Sequence, residues 1–170
     1  MIVIINGPLG IGKSTAAWGL LHRFSQAVML DGDYVAAFQP FDYYNQAHLD
    51  YAYHTFGVLA AHHHQHGITN IIVNWVLESP AQLSRLHGAI RIPHIPIRSY
   101  RLRCDADVMA DRVRRRNLPD LDFELRRSRE LAMILDTAAE NGDLGKVIET
   151  TSLTVEQTVD VIWHDLQQTL

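Results

Sequence analysis

Short apolar runs recur along the chain, separated by longer stretches with helical periodicity. Ile2 to Ile5 is a continuous run rich in β-branched residues, the pattern of a strand buried on both faces. Ala27–Leu30, Ile68–Val76, Ile95–Leu102 and Lys146–Ile148 predict four further strands. The intervening stretches predict helices over Thr15–Phe24, Ala47–His64, a segment opening at Ser79-Pro80, Asp105 to about Arg116, and Phe123–Glu140. Ser79 suits an N-cap, and Pro80 suits the first helical position because its missing N–H would be orphaned there anyway. Asn117-Leu118-Pro119-Asp120 interrupts the helix that starts at Asp105. Thr154 with Gln157 fits a capping box that opens a last helix. Strands alternating with helices imply a parallel sheet covered by helices on both faces, an α/β fold.

Composition narrows the function classes. The 170 residues amount to one domain, and 47% hydrophobic with 20% charged residues is ordinary globular usage. A net charge of −4 disfavours a general nucleic-acid binder, which needs clustered surplus cations. Cys104 is the only cysteine, so neither an intramolecular disulfide nor a thiolate-rich zinc site is open to the chain. No apolar run is long enough to span a membrane, and the first residues lack the pattern of a secretory signal. A cytoplasmic protein, monomer or homodimer, is expected.

Charge is unevenly placed. Lys13 and Arg23 are the only cations before Arg85, and ten of the thirteen arginines fall between Arg98 and Arg129. Lys13 closes a specific pattern, Gly7-Pro8-Leu9-Gly10-Ile11-Gly12-Lys13-Ser14, which fits Gly, four residues, Gly-Lys-Ser. It follows a predicted strand and opens a predicted helix. Glycines there let backbone N–H groups converge on phosphate oxygens, and the helix points its positive end at the same anion. Lys13 can reach the β- and γ-phosphates, Ser14 can ligate Mg²⁺, and Thr15 adds a neighbouring hydroxyl. No Gly-x-Gly-x-x-Gly dinucleotide fingerprint, guanine-reading Asn-Lys-x-Asp or ABC-type Leu-Ser-Gly-Gly occurs. Asp31 and Asp33 follow the second strand, where open α/β sheets place ligands, and strand-like spacing would point both carboxylates to one side.

With this cradle, Asp31-Gly32-Asp33, the arginine-rich segment and Thr150-Thr151-Ser152-Leu153-Thr154 before the last helix, the chain resembles small P-loop kinases of the shikimate, gluconate and nucleoside-monophosphate type. It looks most like gluconate-kinase-like and antibiotic-phosphotransferase-like members, over nearly its whole length. The resemblance implies a five-stranded parallel sheet in the order 2-3-1-4-5. It implies one domain over residues 1–170, with an acceptor-binding helical segment at about 34–66 and a lid at about 112–129. ATP and Mg²⁺ are the implied cofactors, and the partner is a small molecule offering a hydroxyl. Asp31 would help hold hydrated Mg²⁺, and Asp33 would orient or deprotonate the acceptor hydroxyl. Arg112 would stack on adenine or contact phosphate, and Arg116 or Arg115 would be the catalytic lid arginine. The loop at Thr151, Ser152 and Leu153 would meet the adenine. Asn74 stands where many P-loop proteins carry an aspartate; it would bind a metal-bound water or the acceptor, or merely cap its strand. The arginines also read as a solvated helix face paired with nearby acids.

The acceptor side has its own signature. Eight of the fourteen Phe, Tyr and Trp residues lie between Tyr34 and Phe56, while no Lys or Arg occurs from Phe24 to Ser84. Phosphate- or carboxylate-bearing acceptors need local cations. The pattern therefore favours a neutral or cationic hydroxyl compound with an apolar part. Most of these aromatics are expected to pack the helical segment, with Tyr34 and Phe38 reaching substrate. The competing function is a nucleotide-binding switch or degenerate kinase without small-molecule turnover.

Overall fold

A computed structural model of the chain describes residues 1–168, so the last two residues of the expected 1–170 domain lie outside the described residues. Five strands form one all-parallel sheet: β1 (Ile2–Asn6), β2 (Val28–Asp31), β3 (Ile71–Asn74), β4 (Ile97–Arg103) and β5 (Lys146–Glu149). Their order is β2-β3-β1-β4-β5, as the resemblance implied. β1 is central, with Ile2 opposite both Ile71 and Ile97. Its five residues are all buried, which is why it reads as an unbroken apolar run.

Seven helices accompany the strands among the described residues. They are α1 (Lys13–Leu21), α2 (Gly32–Val35), α3 (Gln46–Gln65), α4 (Pro80–Ala89), α5 (Ala106–Arg114), α6 (Leu121–Glu140) and α7 (Val155–Gln167). Alternate residues of the strands feed two cores. Ile2, Ile4, Ile71 and Val73 pack with Tyr53 and Phe56 of α3 and Leu83 and Leu86 of α4. Val3, Ile5, Ile72 and Leu102 pack with Leu20 of α1 and Val159 and Ile162 of α7. Burying each such aliphatic contributes about 1.5–3 kcal/mol. Asn45 caps α3 through a bond from Ala47 N–H, Ser79 caps α4 from Gln82 N–H, and Thr154 with Gln157 completes the expected capping box on α7. No helix among the described residues is long and apolar enough to cross a membrane.

Two local expectations change. The third strand is four residues rather than the whole of Ile68–Val76, and past its end the Asn6 side chain holds the departing chain at Leu77. Its amide Nδ2 donates to Leu77 O at 3.0 Å, and its Oδ1 accepts from Leu77 N–H at 2.9 Å. The helix after Asp105 ends at Arg114 rather than about Arg116, and Asn117 then adopts a left-handed φ of 49°.

Candidate active site

The glycine cradle joins β1 to α1. Gly10 and Gly12 take φ of 79° and 106°, a region where L side chains are strained. A Cβ at Gly10 would also lie 2.3 Å from Val113 Cγ2, so the cradle packs directly against α5. Gly12 is the N-cap of α1 and offers no side-chain cap, leaving first-turn N–H groups to face an anion. Lys13 Nζ donates to Pro8 O at 3.0 Å. Burial dominates its environment and pushes the ammonium down to about 8. Asp33 and then Asp31 oppose that shift, while Arg116 adds to it.

Opposite the cradle, Ser14, Asp31 and Asn74 form a hydrogen-bonded ring. Parallel pairing of β2 with β3 sets Asp31 beside Asn74. Asn74 Nδ2 donates to Asp31 Oδ2 at 2.7 Å and to Ser14 Oγ at 3.1 Å, and Ser14 Oγ donates to Asp31 Oδ2 at 3.1 Å. Asn74 is 2% exposed, and its Oδ1 is buried with no protein partner among the described residues. Asp31 and Asp33 do not share a strand face, as their spacing suggested. Asp31 is the N-cap of α2, its Oδ1 accepting from Asp33 N–H at 2.9 Å, and Asp33 is helical. Helical winding still brings both into the cavity. Gly32 between them admits the Trp75 ring, since a Cβ there would lie 2.0 Å from Trp75 Cγ.

A cavity of about 730 Å³ spans these groups. Leu9, Gly10, Ile11, Gly12, Lys13, Ser14 and Thr15 line it, with Asp31, Asp33, Asn74, Arg112, Arg115, Arg116 and Leu153. Gly7 and Pro8 support the loop without lining the cavity, and Ser152 is exposed outside it between Thr151 and Leu153. The two aromatic candidates do not line it either. Tyr34 is 83% exposed, and Phe38 packs edge-on against Phe41 at 5.1 Å and Tyr51 at 4.9 Å. Sequence reasoning passed over Trp75 and Val76, which continue the cavity wall after Asn74. Only their position at a strand end signalled them. Most of the other aromatics pack as expected: Tyr53 and Phe56 are buried in the core, with Trp75 at ring distances of 5.9 and 5.7 Å.

The arginines divide by what they touch. Arg112 NH1 donates to Thr150 Oγ1 at 2.9 Å and to Ile11 O at 3.3 Å. Its NH2 donates to Thr150 O at 2.6 Å and Leu153 O at 3.4 Å. One guanidinium thus ties the cradle to the loop before α7. Arg116, just beyond the end of α5, has its nearest carboxylate, Glu124, at 3.9 Å. Arg127 of α6 donates to Glu78 Oε1 at 2.6 Å.

A family model described as AAA domain matches residues 2–140. The chain belongs to that AAA domain family. No curated protein matches its sequence. Among solved structures, the tunicamycin resistance protein of Deinococcus radiodurans is 18% identical, with TM-score 0.65 over 98% of this chain and 95% of that one. Shikimate kinase from Acinetobacter baumannii in complex with shikimate is 14% identical, with TM-score 0.66 over 99% and 93%. A sugar kinase from Janibacter sp. HTCC2649 is 14% identical, with TM-score 0.66 over 98% and 94%. This member of the AAA domain family thus has a P-loop kinase-like fold.

Proposed function

We propose that the chain is an ATP- and Mg²⁺-dependent phosphotransferase that moves the γ-phosphoryl group to a hydroxyl of a small, not strongly anionic molecule. The observation that carries this reading is the convergence, in one cavity, of an uncapped glycine cradle with Lys13, the Ser14–Asp31–Asn74 ring and the Asp33 carboxylate. The cradle N–H groups and Lys13 bind the triphosphate, in the role that backbone dipoles and a lysine play in phosphoryl transfer. Ser14 Oγ and the Asp31 carboxylate are hard oxygen donors and suit Mg²⁺, which takes few protein ligands, while Asn74 Nδ2 orients both by donating to them. When bound, Mg²⁺ supplies neutralisation of charge on the phosphate oxygens.

Asp33 orients the acceptor hydroxyl and accepts its proton as the oxygen attacks phosphorus. Arg115 and Arg116, at the start of the proposed lid over 112–129, stabilise charge on the moving group and exclude water on closure. Arg112 positions the cradle against the Thr151–Leu153 loop, where the adenine is held. Acceptor recognition belongs to the segment over 34–66 with Trp75 and Val76.

The test is ADP release measured across neutral, cationic and anionic hydroxyl compounds. Stimulation by a neutral or cationic compound, abolished in Asp33→Asn while ATP binding persists, is expected. Tight ATP binding with no stimulation by any class would instead favour a nucleotide-dependent switch.

A further inference from the structure

The cation-free stretch from Phe24 to Ser84 leaves the acceptor end dependent on other elements for positive charge. α6 delivers one such charge, Arg127. It reaches the loop after β3, where NH2 donates to Glu78 Oε1 at 2.6 Å. Glu78 lies two residues beyond Val76, which lines the cavity beside Asn74 and Trp75. The cavity wall itself ends at Val76, and the loop that carries Glu78 on from it, just behind that wall, is held firmly. Tyr43 OH donates to Val76 O at 2.9 Å, and Glu78 N–H donates to Gln82 Oε1 at 2.6 Å.

The ion pair is largely withdrawn from water, with the Arg127 side chain 22% and the Glu78 side chain 13% exposed. Glu130 adds a second carboxylate at 3.5 Å from Arg127 NH1. The guanidinium is thus already supplied with the anions that a charged acceptor would otherwise provide. Charge-assisted bonds of this length are strong, and removing one partner from a partly buried pair leaves a charge in need of a replacement.

We infer that the Glu78–Arg127 pair sets the charge selectivity of the acceptor end. By occupying the arginine, Glu78 closes that end to carboxylate- and phosphate-bearing acceptors, and Arg127 in turn closes it to cations. A hydroxyl compound uncharged at that end remains. The inference rests on the phosphotransferase reading for the word acceptor, but the selectivity itself is a property of the two side chains. Each half of the pair masks the other, so removing either should open the site to a ligand that carries the charge removed.

Three six-carbon probes of the same chain length differ only at one terminus: D-gluconate is anionic, D-glucitol neutral and D-glucamine cationic. Their affinities are measured by NMR titration, which reads millimolar binding, on wild type, Glu78→Gln, Arg127→Gln and the double variant without nucleotide. Wild type is expected to prefer D-glucitol. In Glu78→Gln the affinity for D-gluconate relative to D-glucitol rises about tenfold, the scale of one hydrogen bond to a charged group. In Arg127→Gln the relative affinity for D-glucamine rises similarly, and in the double variant, which has no arginine left to bind an anion, the D-gluconate gain is lost.

Unchanged ratios in the single variants overturn the inference, as does a D-gluconate gain that survives in the double variant. Thermal unfolding identifies a variant that does not fold, in which case the other single variant carries the test. ATP binding by wild type is titrated separately. Its absence would count against the phosphotransferase reading and leave the charge series to be judged alone.

Discussion

Nucleotide binding should draw a proton onto Lys13 at mildly alkaline pH. In the ligand-free protein, burial holds the Lys13 ammonium at about 8, against 10.5 for a free side chain. At pH 7 about one-tenth of the molecules carry a neutral Lys13, at pH 8 about half, and at pH 9 about nine-tenths. A triphosphate in the cradle places negative charge on the ammonium and restores its affinity for the proton. Binding should therefore take up about 0.1 proton at pH 7, about 0.5 at pH 8 and about 0.9 at pH 9. Affinity should fall as pH rises through the free-protein value, by up to about tenfold per unit. The full difference corresponds to about 3 kcal/mol, less to the extent that the half-buried ammonium still sees water.

Linkage fixes a second sign. Between about 8 and 10.5 the folded, ligand-free protein binds fewer protons than the unfolded chain. Its stability should therefore gain from this site as pH rises across that window, while nucleotide affinity declines. Titration calorimetry of ATP binding in two buffers of different ionisation enthalpy reads the proton count directly. Lys13→Arg keeps a charge that does not titrate and should bind ATP with no uptake between pH 7 and 9. An uptake that is flat across that range in wild type, or equally large in Lys13→Arg, would refute the reasoning.

Other perturbations follow from single contacts. Gly57→Ala drives a Cβ to 2.1 Å from Ala89 O, forcing α3 from the end of α4; we expect a loss of about 2–3 kcal/mol, read as a drop of roughly 5–10 °C in thermal unfolding. Arg112→Lys cannot hold Ile11, Thr150 and Leu153 together with one ammonium; nucleotide affinity should weaken at least about tenfold, measured by calorimetry. Asn74→Asp replaces a donor 2.7 Å from Asp31 with a second carboxylate. The ligand-free protein should lose thermal stability through like-charge repulsion, and Mg²⁺ should restore more stability to this variant than to wild type.

The order of elements was legible because most strands are short apolar runs and several helices open on a capping side chain, Ser79 and Thr154 among them. The cradle was legible because its chemistry is local: the glycine spacing, Lys13 and Ser14 lie within eight residues. Asp31 and Asp33 both line the cavity, but not by the strand geometry that their spacing suggested. Strand periodicity was extended across Gly32, whereas the Asp31 side chain captures Asp33 N–H and starts a helix. Tyr34 and Phe38 were singled out by aromatic density, which does not say whether a ring turns toward a cavity, toward solvent or toward other rings.

Arginine roles were the least legible, and the reason is physical. A guanidinium acts on a substrate only if protein acceptors have not already claimed its donors, and those acceptors come from distant parts of the chain. Arg112 meets oxygens of residues 11, 150 and 153, Arg127 meets Glu78, and Arg101, 7% exposed, meets Asp136. Each pairing crosses between elements that only the parallel sheet brings together. The arginine-dense segment is thus partly a set of internal ties that hold α5 and α6 against the cradle and the β3 loop. Arg115 and Arg116 line the cavity as Arg112 does, but no hydrogen bond among the described residues claims their guanidinium donors, and the nearest carboxylate to Arg116 stands at 3.9 Å. In the proposed mechanism these are the donors that meet the incoming anion: charge density in the sequence marks the region, and cavity lining together with unclaimed donors narrows the choice within it.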